Sequence, residues 1–130
     1  MQLRQMEISD ADFMLELKNY PETRQFALIS HDEISKENHY KWLPNNLQYF
    51  QVLYSQNHLY GAVRIQDNEV SIWINKEYWG KGMASFVLEK VSKKGMWAKI
   101  VPDNISSIRA FINAGFRPVS FNGKYYIFQR

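Results

Sequence analysis

The sequence contains no cysteine. This absence excludes disulfide bonds, thiolate nucleophiles and zinc sites built from cysteine. The three histidines, His31, His39 and His58, are scattered along the chain and lack the spacing of metal ligands on a helix. We therefore expect no metal site and no chemistry that depends on a metal.

Long apolar runs are also missing. No stretch approaches the ~20 apolar residues that a membrane-spanning helix needs. The first residues, 1–7, lack the apolar stretch of a signal peptide. From these absences we expect a cytoplasmic protein that does not act at a membrane.

Charge of neither sign is concentrated. Lysine and arginine number 16 against 13 acidic residues, which gives a formal net charge of +3. The basic residues are dispersed and form no cluster with interleaved aromatic residues, so nucleic-acid binding is disfavoured. The small positive charge is compatible with a polyanionic ligand such as a phosphorylated cofactor.

The chain does contain enough apolar sequence for a core. Hydrophobic residues make up 45% of the 130 positions, so we expect one domain that spans residues 1–130. Patterns of strand and helix alternate and predict an α+β fold, with an antiparallel meander between 48 and 74 and a tight final hairpin at Asn122-Gly123. The predicted strands are 3–8, 48–54, 59–65, 69–74, 96–101, 116–121 and 125–129, and the later predicted helices are 85–94 and about 104–114.

Capping and breaking residues set the bounds of the two earlier helices. Ser9-Asp10 offers a cap for the first helix, and Pro21 ends it. A polar connection through Ser30 leads to Ser35, which can cap the second helix. Pro44 ends that helix, so about four helices are expected in all.

A glycine-rich loop, Trp79-Gly80-Lys81-Gly82-Met83-Ala84, separates the strand 69–74 from the next helix. Its glycines let a ligand approach the backbone, and the first turn of the helix leaves N–H groups without intrahelical partners. This arrangement favours a pyrophosphate-binding loop, although a plain tight connection gives the same pattern. The dinucleotide and Walker fingerprints fail, because position 85 is serine and no Gly-Lys-Ser/Thr is present.

A second polar motif opens the last predicted helix. Asn104 and Ser107 follow the strand 96–101, and their spacing places them on one side of the helix start. The same residues fit a plain helix cap, with Gly115 as the carboxyl-terminal stop. This motif alone leaves both interpretations open.

Together, the two motifs and the order of elements resemble the GCN5-related N-acetyltransferase family. Its signature is Arg/Gln-x-x-Gly-x-Gly/Ala, followed by an Asn-x-x-Ala/Ser helix that ends in Gly-Phe, here Gly115-Phe116. The resemblance covers nearly the whole chain and implies a twisted, mostly antiparallel sheet of about seven strands flanked by about four helices. It also implies transfer of an acetyl group from acetyl-CoA to a small primary amine by direct attack.

The resemblance further implies which residues bind acetyl-CoA. Main-chain N–H groups from Lys81 to Ala84 would hold the pyrophosphate, and the main chain at Ile72 and Ile74 would pair with the pantetheine amides. Asn104 and Ser107 would face the cofactor from the next helix. The implied cofactor-binding residues are Ile72, Ile74, Trp79, Gly80, Lys81, Gly82, Met83, Ala84, Ser85, Asn104, Ser107 and Phe111.

Catalysis needs a donor for the oxyanion and an acceptor for the amine proton. The resemblance implies a strand amide as the donor, which we expect at the main chain of Ile74. Glu69 lies where related enzymes sometimes carry a catalytic carboxylate, although a charged residue after a turn is more often simply solvated. His39 is a second candidate base because its ordinary pKa lies near neutrality, with a surface position on an amphipathic helix as the alternative.

Phe111 departs from the family pattern, in which a tyrosine at this position can protonate the departing thiolate. Phenylalanine cannot donate a proton, so another group or water must do so, or the thiolate leaves unassisted. Tyr125 and Tyr126 are candidate substitutes, with packing in the final hairpin as their alternative role. The missing hydroxyl also keeps open a catalytically silent module that binds CoA.

The amino-terminal third is similar to a bacterial branch of the family that acylates amines on nucleotide-linked sugars and includes relatives that acetylate ribosomal proteins. We therefore expect an amino sugar as acceptor, with a protein N-terminus or another small amine as the alternative. Trp42 could instead belong to the core and Arg24 to the surface. The family often dimerises, and the final hairpin could supply a homodimer surface. The implied acceptor-binding residues are Asn19, Arg24, His39 and Trp42.

Overall fold

The computed structural model describes residues 1–28 and 31–130, so Ser30 of the predicted polar connection lies outside the described residues. The strands are β1 (Gln2–Gln5), β2 (Phe50–Ser55), β3 (His58–Gln66), β4 (Glu69–Ile74), β5 (Trp97–Ile100), β6 (Arg117–Phe121) and β7 (Tyr126–Gln129). The α-helices are α1 (Ala11–Asn19), α2 (Pro21–Gln25), α3 (Lys36–Trp42), α4 (Met83–Val91) and α5 (Ile105–Asn113).

Within these residues the strands form one seven-stranded sheet in the order β1-β2-β3-β4-β5-β7-β6. Neighbouring strands run antiparallel, except that β4 and β5 run parallel. The predicted α+β fold is therefore confirmed. The described chain has five α-helices where four were expected, because Pro21 ends the first helix and also begins α2. Proline fits the first helical position, where its missing N–H would have no intrahelical partner.

Helices cover both faces of the sheet. On one face, α4 and α5 pack over Leu53, Val63 and Phe128. On the other face, α1 and the end of α3 pack over Phe50 and Ala62. The neighbours Ala62 and Val63 belong to different cores because side chains alternate along a strand.

The final hairpin differs from the expected tight turn. Phe121 pairs with Tyr126, so the connection spans residues 122–125 rather than Asn122-Gly123 alone. The Asn122 side chain accepts hydrogen bonds from the N–H groups of Lys124, at 2.9 Å, and Tyr125, at 3.0 Å. A side chain that stabilises its own loop thus takes the place of the predicted two-residue turn.

The parallel pair β4–β5 is the shortest pairing in the sheet. The two strands meet at the single register Glu69–Trp97, whereas β5 stays paired with β7 as far as Ile100. Beyond Glu69, the described residues leave one edge of β4 without a neighbouring strand. The opening between β4 and β5 is the feature on which the site is built.

An ion pair joins β1 to the start of α1. The Arg4 guanidinium donates to the Asp10 carboxylate at 2.8 and 2.9 Å, and the N–H of Glu7 donates at 2.9 Å. Asp10 holds the predicted cap position, but it is buried and binds these groups instead of the helix. Burial raises the pKa of the Asp10 carboxyl, but the hydrogen bonds from Arg4 and Glu7 lower it by more, so its pKa lies below the ordinary value.

Replacing Asp10 with asparagine is expected to lower the free energy of unfolding at pH 7 by about 2–3 kcal/mol, because it leaves the Arg4 charge unpaired. The contribution of a carboxyl with a lowered pKa is present above its unfolded pKa of about 3.9 and is lost as the pH falls through the folded pKa. Urea unfolding at pH 7 and pH 3 should therefore show the two proteins converging in acid. Glu37→Gln, which removes an exposed partner of Lys41, should cost less than about 0.5 kcal/mol.

Candidate active site

The glycine loop ends in a helix start that is open to a ligand. Gly80 and Gly82 have φ of 76° and 78°, in the left-handed region that favours glycine. Gly82 is the cap residue of α4, and the first intrahelical bond runs from the N–H of Phe86 to its carbonyl at 3.0 Å. The N–H groups of residues 83–85 thus lack intrahelical partners. No atom of the described residues lies within 4 Å of where a Cβ would sit on either glycine.

The edge of β4 continues this row of main-chain donors. Asn75 donates its N–H to Tyr60 of the β3 side at 2.8 Å, whereas the Asn68 carbonyl accepts from Trp97 of the β5 side at 2.9 Å. Main-chain groups alternate in direction along a strand, so those of Ile72 and Ile74 point away from β3. They face the opening between β4 and β5.

Trp79 fixes the end of this edge. Its indole N–H donates to the Ile74 carbonyl at 2.7 Å, and its ring packs edge-on against Tyr20, with centroids 5.9 Å apart. The hydroxyl of Tyr20 bonds the Asn75 side chain at 3.4 Å. The indole N–H of Trp79 thus holds the last peptide of β4.

The start of α5 confirms the helix-cap interpretation. The Asn104 side chain accepts from the N–H of Ser107 at 3.3 Å, and Gly115 has φ of 95° at the helix end. Contact of either polar residue with a cofactor stays a prediction. Phe111 is 5% exposed and packs edge-to-face against Phe116, with centroids 4.9 Å apart, so its described contacts are those of a core residue.

Glu69 and Ile74 lie at opposite ends of β4. At the rise of a strand, the two Cα atoms are about 17 Å apart. A thioester carbonyl held by the Ile74 amide would therefore lie out of reach of the Glu69 carboxylate. Of the residues predicted to be catalytic, these two are not brought together.

His39 is buried, at 2% exposure, so the alternative of a surface position is wrong. Its Nε2 lies 2.9 Å from the carbonyl of Ala11 and must donate to it, which leaves Nδ1 unprotonated in the neutral ring. Burial lowers the pKa of His39, the Ala11 carbonyl raises it, and the Lys18 ammonium lowers it, with a net decrease. The ring is therefore neutral at pH 7 and able to accept a proton.

A cavity of about 280 Å³ lies between α1 and α3 and brings together two of the four predicted acceptor residues. It is lined by Lys18, Ile34, Asn38, His39 and Trp42. The other two residues, Asn19 and Arg24, do not line the cavity but support Ile34, which does. The Asn19 side chain bonds the carbonyl and the N–H of Ile34 at 2.9 and 2.8 Å, and Arg24 donates to the Asn19 carbonyl at 3.3 Å.

The sequence analysis missed Lys18, which projects its ammonium into an aromatic cage. Its Nζ lies 3.8 Å from the ring centroid of Trp42, 5.5 Å from that of Phe50 and 5.9 Å from that of Trp73. Burial and the charge of Arg64 lower the pKa of Lys18 to about 8. Its position four residues after the buried Met14 was the available signal, because that spacing returns to the same helix face.

Trp73 links the aromatic cage of Lys18 to the open edge of β4. The ring of Trp73 belongs to the cage, while the main chains of its neighbours Ile72 and Ile74 face the opening. Tyr20, two residues after Lys18, reaches both Asn75 and Trp79. The cage of Lys18 and the open edge are therefore built on consecutive residues of β4.

Tyr125 and Tyr126 differ in their surroundings. Tyr126 packs between Phe121 and Phe128, with centroids 4.7 and 5.9 Å away, so its hairpin role is confirmed. Tyr125 lines a second cavity, of about 210 Å³, together with Lys99 and other residues.

The described residues contain neither a metal-binding cluster nor a membrane-spanning helix. In the described part of the chain, no group of three or more histidine, aspartate or glutamate side chains could hold a metal ion. None of the helices described is long and apolar enough to cross a membrane.

Comparison with known proteins places this geometry in a wider group. A family model described as an acetyltransferase (GNAT) domain matches residues 1–117. No curated protein sequence is significantly similar to the chain.

Solved structures are similar over nearly the whole length. A domain from Methanocaldococcus jannaschii DSM 2661 has a TM-score of 0.82 at 21% identity, covering 99% of this chain and 96% of that one. Spermidine N-acetyltransferase from Vibrio cholerae, in complex with CoA and spermine, has a TM-score of 0.79 at 18% identity, covering 99% and 92%. AAC(6')-Ib, in complex with paromomycin and acetyl-CoA, has a TM-score of 0.76 at 15% identity, covering 98% and 92%. Identities this low show a shared fold.

The buried ammonium of Lys18 predicts an unusual dependence of stability on pH. The pKa of Lys18 is about 8 in the folded chain, against about 10.4 when unfolded. Between these values the unfolded chain binds more protons, so the free energy of unfolding should rise with pH.

Lys18→Met removes this contribution and should unfold at higher urea concentration than the wild type at pH 7. We expect a difference of about 1–2 kcal/mol that shrinks toward pH 10. Lys41→Met, at an exposed position, is the control and should follow the wild type. A constant difference between Lys18→Met and wild type at all pH values would show that the ammonium is hydrated.

Proposed function

Because the chain belongs to the acetyltransferase (GNAT) domain family, we propose that it transfers the acetyl group of acetyl-CoA to the primary amine of a small acceptor. The observation that carries this proposal is the row of main-chain N–H groups that runs from the open edge of β4 to the start of α4. Such a row fits an extended ligand with amides at one end and a pyrophosphate at the other. The similar structures solved with CoA or acetyl-CoA support the same donor.

The donor is held by main chain rather than by charged side chains. The N–H groups from Lys81 to Ser85 would bind the pyrophosphate, helped by the partial positive charge at the start of α4. The main chain of Ile72 would pair with pantetheine, as a further strand pairs with a sheet edge, and the N–H of Ile74 would remain free for the thioester carbonyl. Asn104 and Ser107 would close the opening from α5.

Residues of the cavity and of β4 can serve the steps of the transfer. The amine attacks only as the free base, so its proton must pass to an acceptor, and Nδ1 of His39 is available. As the amine nitrogen bonds to the carbonyl carbon, the N–H of Ile74 would stabilise the negative oxygen. The carbon–sulfur bond then breaks, and the thiolate leaves without a tyrosine at Phe111. A thiol with a pKa of about 8.5 is a fair leaving group.

An amino sugar, including one linked to a nucleotide, is the acceptor that we propose. The cavity between α1 and α3 has an aromatic wall at Trp42 and polar groups from Asn38, His39 and Lys18. Aromatic walls suit sugar rings, and the polar groups suit hydroxyls. Asn19 and Arg24 would act indirectly, by holding residues 31–34 against α1.

Gly82→Leu tests the binding of the donor. A side chain at φ of 78° is strained and would project into the space above the helix start, so we expect at least a tenfold loss of acetyl-CoA affinity. Isothermal titration calorimetry provides the measurement. Gly95→Leu is a matched control, because Gly95 has φ of 95° and equal space but follows the far end of α4. Equal losses in both variants, or no binding by the wild type, would contradict the proposal.

Trp79→Phe tests the donor amide at Ile74. Without the indole N–H, the last peptide of β4 is less fixed, so kcat should fall about tenfold while the affinity for acetyl-CoA changes little. Steady-state kinetics with glucosamine as acceptor provide the measurement. Trp97→Phe is the control, since that indole donates to the Asp67 carbonyl at the other end of β4. An unchanged kcat in Trp79→Phe would mean that the bond has no part in the reaction.

A further inference from the structure

Lys18 is a cation without a counter-ion. Within residues 1–28 and 31–130, each ion pair joins other residues, and none includes the Lys18 ammonium. The rings of Trp42, Phe50 and Trp73 surround it and offer the weaker attraction of their faces. The ammonium also lines the cavity between α1 and α3, where a ligand can reach it.

The other charged groups near the cavity do not neutralise it. Arg64 of β3 acts on Lys18 with the same sign, and His39 of α3 is neutral. The carboxylate of Asp12 accepts from the Tyr40 hydroxyl, lies 3.8 Å from the Lys36 ammonium, and is largely exposed. Of the five residues that line the cavity, Lys18 therefore carries the one full charge at neutral pH.

We infer that the amine acceptor carries a carboxylate or phosphate group, which pairs with Lys18 inside the cavity between α1 and α3. A negative group there replaces the water that the buried ammonium has lost. A polyamine would instead bring further positive charge against Lys18 and Arg64. The inference rests on the proposed function for the identity of the reacting amine, but the anion site itself does not depend on turnover.

The arrangement also sets the two ends of the acceptor. Its negative end lies against the Lys18 ammonium in the cavity, and its amine lies toward the open edge at Ile74. Trp73 connects these places, because its ring belongs to the cage and its main chain belongs to β4. An acceptor the size of a sugar phosphate or an amino acid is about as long as the side chain of Trp73 and fits a cavity of about 280 Å³.

Matched acceptors that differ in one anionic group provide the test. The probes are glucosamine 6-phosphate against glucosamine, β-alanine against β-alaninamide, and spermidine. We expect the wild type to have a higher kcat/KM for the anionic member of a pair and the lowest value for spermidine. A preference confined to the first pair identifies a phosphate, and one confined to the second identifies a carboxylate.

Lys18→Met should lower the ratio of kcat/KM between the members with and without the anionic group at least tenfold, mainly through KM. Lys18→Arg should restore most of that ratio. Lys41→Met changes the net charge equally at an exposed position and should leave the ratio unchanged. A loss of kcat that is equal for all probes in Lys18→Met, or a wild type that prefers spermidine, would overturn the inference.

Binding separates this inference from the proposed function. Calorimetry should show that the wild type binds glucosamine 6-phosphate more tightly than glucosamine. This difference in affinity should vanish in Lys18→Met. If acetyl-CoA does not bind but this difference persists, the proposed reaction fails and the anion site stands. If acetyl-CoA binds and neither anionic probe binds more tightly than its matched partner without the anionic group, the anion site fails and the reaction stands.

Discussion

The site depends on one constraint, which is that β4 and β5 pair at a single register and then part. Parallel strands normally satisfy each other's main-chain groups along their whole length. Here Glu69 meets Trp97, and β5 turns to follow β7, so β4 keeps an unpaired edge toward Ile74. Unpaired strand edges are a liability in most sheets. This edge is left open, so an extended ligand can pair with it as a further strand.

The proposed donor and acceptor ends of the site depend on different interactions. The donor end relies on neutral main-chain N–H groups, whose positions follow from the backbone of β4 and from glycines at φ of 76° and 78°. The acceptor end relies on a buried ammonium in an aromatic cage, which costs free energy in the empty chain. Stability given up at Lys18 is a reason to assign it a role, because a methionine of similar length would fill the same space without that cost.

The fold and the donor end follow closely from sequence, because their signals are local. The alternating pattern of β4, the glycines before α4 and the Asn104 cap each depend on residues close together in the chain. The acceptor end depends on contacts across the fold. Lys18 meets Phe50 and Trp73, and Asn19 bonds Ile34, so no local pattern could predict them. Asn122 was misread for a related reason, because the dipeptide signal ignores what the side chain can bond.

Strand β4 connects the donor and acceptor ends through its alternation. The main chains of Ile72 and Ile74 face the opening. The ring of Trp73 belongs to the core under α1 and α3, where it packs against Phe50 close to Lys18. A shift of β4 by one residue would exchange these faces and remove both features together. Gly61 is required in the present register, since a Cβ there would lie 2.4 Å from the Trp73 carbonyl. Close packing of β3 against β4 therefore fixes the open edge at Ile72 and Ile74 relative to the ring of Trp73.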